Sequence, residues 1–83
     1  MQTVWTRSAW KELQSLPKAK QAAVLKAVSA FAADLFGRHP NAKPLAGERR
    51  AVRLRVGEWR VILHRDQELV EVRAVAHRRE VYR

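Results

Sequence analysis

The sequence contains no cysteine, so neither a disulfide nor a thiolate metal site can brace it. It has three glycines and three prolines, too few for a low-complexity or collagen-like chain. No apolar run approaches the roughly 20 residues a membrane-spanning helix needs. The N-terminus lacks the charged-then-apolar pattern of an export leader. These absences lead to the expectation of a cytoplasmic protein with no membrane association. Acidic residues are scarce as well, with eight against 17 lysines and arginines, a net charge of +9. The chain has 83 residues, enough for one domain, residues 1–83, built around a single modest core.

What the chain does have is arginine, which supplies 12 of the 17 basic residues. Its planar fork suits phosphate, and it keeps its charge at any physiological pH. A small domain with clustered arginines is drawn to polyanions such as nucleic acid or an acidic protein segment. A basic surface that is merely solvated is the plainer alternative.

Residues 2–6 (QTVWT) are β-prone, with Val4 and Trp5 as packing groups. Thr6 or Ser8 can cap a helix that runs to about Leu16, with Ala9, Trp10, Leu13 and Leu16 as its apolar stripe. Pro17 separates it from a second helix over 18–36, where Val24, Val28, Phe31 and Leu35 repeat at helical spacing. Gly37 fits that helix's C-cap. The segment 38–47 (RHPNAKPLAG) reads as a loop.

From Val52 the period becomes two. Val52, Leu54 and Val56 alternate with Arg53 and Arg55. Gly57-Glu58 fits a two-residue turn. Trp59, Val61 and Leu63 share a face, Asp66-Gln67 makes a second turn, and Val70, Val72 and Ala74 continue the apolar side. The fold class expected is α+β, with two N-terminal helices packed on an antiparallel meander. The first strand joins the sheet beside and parallel to the last long strand. The register puts Val56 opposite Trp59, Leu54 opposite Val61 and Leu63 opposite Val70. The other face then carries Arg53, Arg55, Arg60 and Arg73, with Arg55 across from Arg60, Arg60 across from Arg73, and Glu71 beside them. Exposed like-charge pairs cost only about 0.2–1 kcal/mol each, so this floor holds either phosphate or water.

The closing HRREVYR adds His77, Arg78 and Tyr82. An imidazole moves protons near neutral pH, a guanidinium stabilises charge developing at phosphorus, and a tyrosine ring stacks on an unpaired base. A loose basic terminus with Tyr82 folded onto the sheet fits the same residues. The histidines at 39, 64 and 77 lack the close spacing of a metal site, and no glycine-rich phosphate loop is present. Neither a metal nor an organic cofactor is therefore expected.

The elements KPL-x-G, R-x-R-x-G-x-(aromatic)-R and HR-x-x-VY occur in this order over nearly the whole chain. With the opening TVWTRSAWKELQSLP they make the sequence resemble the RelE/ParE superfamily of type II toxin–antitoxin toxins, the RelE branch in particular. The resemblance implies a microbial RNase-like fold and a cognate antitoxin as partner. Promoter DNA would be contacted only through the antitoxin complex. For the RelE branch it implies metal-independent cleavage of messenger RNA in the ribosomal A site. There the ribose 2′-OH attacks the adjacent phosphate and leaves a cyclic phosphate and a 5′-OH. For the ParE branch it implies inhibition of DNA gyrase by protein contact.

Carried over by motif, Arg60 steadies the phosphate, Arg78 is a phosphate stabiliser with a general-acid role open to it, and Tyr82 stacks on or orients the base. Arg53 and Arg55 fall where the family often has basic residues, and together with Arg73 of the same sheet face they are expected to bind substrate. Some relatives carry lysines on the first meander strand, one of them proposed as the base. Arginine there is a poor base, which makes His77 the expected substitute and His64 the second choice, with His39 a surface residue.

Overall fold

A computed structural model describes residues 2–45 and 48–81. The elements are β1 (Gln2–Trp5), α1 (Arg7–Gln14), α2 (Lys18–Ala32), β2 (Ala42–Leu45), β3 (Glu48–Val56), β4 (Trp59–Arg65), β5 (Leu69–His77) and α3 (Arg78–Val81). The strands form one sheet in the order β1-β5-β4-β3-β2. β1 runs parallel to β5 and the remaining pairs are antiparallel, so the α+β class and the placement of the first strand match expectation.

Thr6 starts α1, its Oγ1 accepting the N–H of Ala9 at 3.1 Å. Ala9, Leu13 and Leu16 face the sheet and are buried, together with Val24, Val28 and Phe31 of α2 and Leu35 beyond it. From the sheet side Val52, Leu54, Val61, Leu63, Val70, Val72 and Val75 complete the core. Phe31 is its largest fully buried side chain, and truncating such a ring to alanine costs about 3–5 kcal/mol. Trp10 departs from the expected stripe. It is 43% exposed and meets Trp5 edge-on at 5.4 Å.

α2 ends at Ala32, four residues before Phe36. Two carbonyls just past its end meet side chains. Arg65 Nη1 donates to the Leu35 carbonyl at 2.6 Å, and His39 Nε2 lies 2.6 Å from the Asp34 carbonyl. Arg65 also lies over the Phe36 ring at 4.5 Å. Gly37 is not a left-handed cap, since only Gly57 has a positive φ among the described residues. A Cβ there would sit 1.9 Å from the Asp34 carboxylate, so the exposed Asp34 side chain would have to swing aside.

Three further expectations are corrected. Within 38–47, the supposed loop, Ala42–Leu45 is an edge strand paired with β3. Pro44 is compatible with an edge, where its missing N–H removes no ladder bond. The second turn centres on Gln67-Glu68. Asp66 N–H donates to the Leu69 carbonyl, and Asp66 Oδ1 accepts the N–H groups of Glu68 and Leu69, both at 2.8 Å. Leu63 consequently pairs with Val72, not Val70.

Candidate functional site

The residues of β3 that alternate with the core residues Val52 and Leu54 are Ala51, Arg53 and Arg55. Their partners on β4 are His64, Ile62 and Arg60. On the other flank, Lys43 of β2 pairs with Arg53. All of these sit on the side of the sheet away from the helices. Together with Pro40 and Asn41, residues Lys43, Arg53, Arg55 and Arg60 line a groove of about 330 Å³.

Arg55 and Arg60 are directly opposite, as the register requires. The Arg55 N–H is bonded to the Asn41 carbonyl at 2.8 Å, so it is not exchanged with Arg60. Pairs of that kind bring side chains closest together. The guanidiniums diverge nonetheless. Arg55 Nη2 donates to Asn41 Oδ1 at 3.0 Å. Arg60 Nη1 donates to the carbonyls of Gly57 and Trp59, both at 2.9 Å. Each cation is held by a neutral acceptor on its own side, which limits repulsion and keeps both facing one groove.

Arg73 does not stand across from Arg60; Ala76 does. The ladder pairs Ile62 with Ala74 but Leu63 with Val72, so Arg73 is an extra residue on β5, a β-bulge. Its Nε lies 2.6 Å from Glu71 Oε1 and its Nη1 3.3 Å from His64 Nε2. Arg73, Glu71 and His64 thus form a cluster of their own, and none of them lines the groove.

The bulge also reverses the parity of the residues after it. Val75, not Ala74, is buried. His77, two residues on, pairs with Trp59 and meets its ring edge-on at 5.4 Å. His77 Nδ1 accepts the Arg79 N–H at 3.3 Å, and Nε2 lies 3.6 Å from Glu58 Oε2. The structure therefore places His77 on the Trp59 side, apart from Arg60. α3 begins at the next residue, where the Arg78 N–H donates to the Glu58 carbonyl at 2.8 Å. This ties the tail to the β3–β4 turn, with the Arg78 side chain exposed. Tyr82 lies outside the described residues. His39 is half-buried, its ring 4.8 Å from that of Phe31. Among the described residues no three side chains of the kinds that ligate metals come together.

Asn41 and Lys43 are not legible as site residues from sequence, because the segment containing them reads as a loop. The available signal is weak: half-buried Ala42 and Leu45 flank two exposed positions, and proline is allowed on an edge strand.

A family model described as the ParE toxin of type II toxin–antitoxin system, parDE, matches residues 3–82. No curated protein matches the chain closely enough to count as a relative. Among solved structures, the RelBE2 toxin–antitoxin complex of Mycobacterium tuberculosis contains a chain 28% identical, with a TM-score of 0.67 and coverage of 92% of this chain and 95% of that one. In the RelB–RelE antitoxin–toxin complex of Methanococcus jannaschii the figures are 17% identity, TM-score 0.74, and 95% and 94% coverage. YafQ of Escherichia coli superposes with a TM-score of 0.78 at 9% identity, over 98% and 97% of the two chains.

Proposed function

The chain belongs to the family of ParE toxins of type II toxin–antitoxin systems, and from that premise we propose that it is a metal-independent endoribonuclease that cuts messenger RNA in the ribosomal A site and so stops translation. The observation that carries this reading is the groove that Lys43, Arg53, Arg55 and Arg60 line together. Four cationic side chains on one concave surface make a receptor for a phosphodiester. Donors gathered in such a groove can stabilise the charge that accumulates as phosphorus becomes five-coordinate.

In this reading Arg55 and Arg60 grip the scissile phosphate, and Arg53 follows the backbone beyond it. Arg78 leans in from the tail to stabilise the departing oxygen, and Tyr82 stacks on the neighbouring base. Arg73, held by Glu71 and His64, contacts RNA or ribosome farther along the same face. His77 faces Trp59 and stands outside the phosphate grip. The basic surface gives the rest of the docking energy through phosphate contacts that salt weakens.

A cognate antitoxin keeps the toxin inactive, with an acidic or amphipathic segment covering the charge the RNA would use. Promoter DNA is reached only through that complex.

A second reading, poisoning of DNA gyrase by protein contact, draws on the matching family model being that of a ParE toxin. Producing the protein in a translating extract and mapping mRNA ends by primer extension separates the two. New cuts within codons that require ribosomes are the outcome expected. Intact mRNA beside gyrase-linked, cleaved DNA moves the protein to the other target.

A further inference from the structure

Attack of a ribose 2′-hydroxyl on phosphorus needs a group that takes up the hydroxyl proton. Most residues lining the groove cannot serve. Pro40 and Asn41 have no titrating base, and Arg53, Arg55 and Arg60 do not release their protons in proteins. Among the described residues no histidine lines the groove. His77 is turned to Trp59, with its two ring nitrogens toward Arg79 N–H and Glu58. His64 stands opposite Ala51, beside Arg73, and His39 packs on Phe31. Among the described residues that line the groove, the one whose side-chain type serves enzymes as a general base is Lys43.

Its placement follows from backbone structure. Ala42 pairs with the buried Leu54 and packs against the core. Strand alternation therefore turns Lys43 to the opposite face, where it pairs with Arg53. Pro44 comes next, and its ring fixes φ directly after the lysine. The lysine thus reaches from the edge strand β2 into the groove that the arginines of β3 and β4 complete.

We propose that Lys43 is the general base of the cleavage reaction, an assignment that rests on the endoribonuclease reading. The neutral Nζ removes the proton from O2′. O2′ forms its bond to phosphorus as the P–O5′ bond breaks, its electron pair leaving on O5′. That oxygen takes a proton from water, and the products are a 2′,3′-cyclic phosphate and a 5′-hydroxyl. Arg55 and Arg60 hold the non-bridging oxygens throughout. Arginine on β3 supplies charge, and the lysine on β2 supplies proton uptake.

The test uses the full chain with purified ribosomes programmed with a defined mRNA. The wild type is compared with Lys43→Arg and Lys43→Ala, each at saturating toxin, with ribosome co-sedimentation as the measure of binding. Lys43 is exposed, so neither substitution disturbs the core. Lys43→Arg keeps the charge and should co-sediment like wild type while cutting at least about a hundredfold more slowly, the lower end of what general-base catalysis contributes. Added methylamine should restore part of the cleavage by Lys43→Ala and none of that by Lys43→Arg. Cleavage by Lys43→Arg within threefold of wild type reduces the lysine to a point charge and overturns the assignment. So does a hundredfold loss in His77→Gln beside an unimpaired Lys43→Arg. A wild-type protein that binds programmed ribosomes and cuts nothing removes the endoribonuclease reading itself, and the base with it.

Discussion

The Glu12 carboxylate accepts the backbone N–H of Val75 at 3.0 Å, across 63 residues of sequence. β1 pairs with β5 only as far as Trp5 and Val72, and the Thr6 N–H makes the last bond, to the Val72 carbonyl, at 3.0 Å. Beyond that point the chain turns into α1, and β5 loses its neighbour. A buried N–H at that edge needs an acceptor, and a helix side chain takes the place of the departed strand. Glu12→Ala should destabilise the domain by about 1–3 kcal/mol, the cost of leaving such a donor unmet. Glu12→Gln keeps an acceptor oxygen and should lose less. Urea unfolding of the three proteins, compared at equal m-value, measures both.

Gly57 opens the β3–β4 turn at φ 59°, and a Cβ there would meet nothing within 4 Å. The cost of Gly57→Ala is therefore backbone strain alone, about 1–2 kcal/mol, whereas Gly57→Asn should cost less, because asparagine tolerates this region. The same turn carries a carbonyl that holds Arg60 and one that holds Arg78. The alanine variant should accordingly lose toxicity more steeply than its melting temperature predicts, which paired thermal melts and growth assays will show.

Arg60→Ala and Arg78→Ala should each abolish growth arrest while leaving the fold and antitoxin binding intact. Arg78 is exposed, and Arg60 bonds only carbonyls of its own turn among the described contacts. Circular dichroism, antitoxin pull-down and a plating assay are read together. Full growth arrest by both variants would sink the RNase assignment of this surface.

The N–H groups of Glu68 and Leu69 hold the Asp66 carboxyl below its ordinary 3.8, with Arg50 adding to the effect. A carboxylate with a lowered folded pKa contributes stability above its unfolded pKa and loses it as pH falls through the folded value. The stability difference between wild type and Asp66→Ala should hold constant above about pH 5 and shrink as pH falls below 4. Urea midpoints measured across that interval give the curve.

The sequence is readable wherever burial repeats with a period. Val52 and Leu54 against Arg53 and Arg55 reveal both faces of β3, and Val24, Val28 and Phe31 reveal the buried stripe of α2. It is unreadable where one residue changes the count. The run Val72-Arg73-Ala74-Val75-Ala76 alternates plausibly in either parity, so composition carries no trace of the bulge at Arg73. Without the bulge, simple alternation sets Arg73 against Arg60 and carries His77 to the arginine face by the same parity. The end of α2 is hidden for a different reason. Its carbonyls are satisfied partly by Arg65, 30 residues away from Leu35, and local capping rules see only neighbours. Lys43 is hidden because a strand of four residues containing proline scores as a loop by any local measure.

Arg53, Arg55 and Arg60 alternate in sequence with Leu54 and Val61, whose side chains never share their surroundings. Changing the first set leaves the packing of the second untouched. A lineage can therefore drift through many charge arrangements on this surface without passing through an unfolded intermediate, and a new macromolecular target is separated from the old one by a few substitutions rather than by a new scaffold. The antitoxin faces the opposite constraint. If it recognises the same exchangeable residues, every change of target obliges it to change in step, and toxin and antitoxin must evolve as matched pairs.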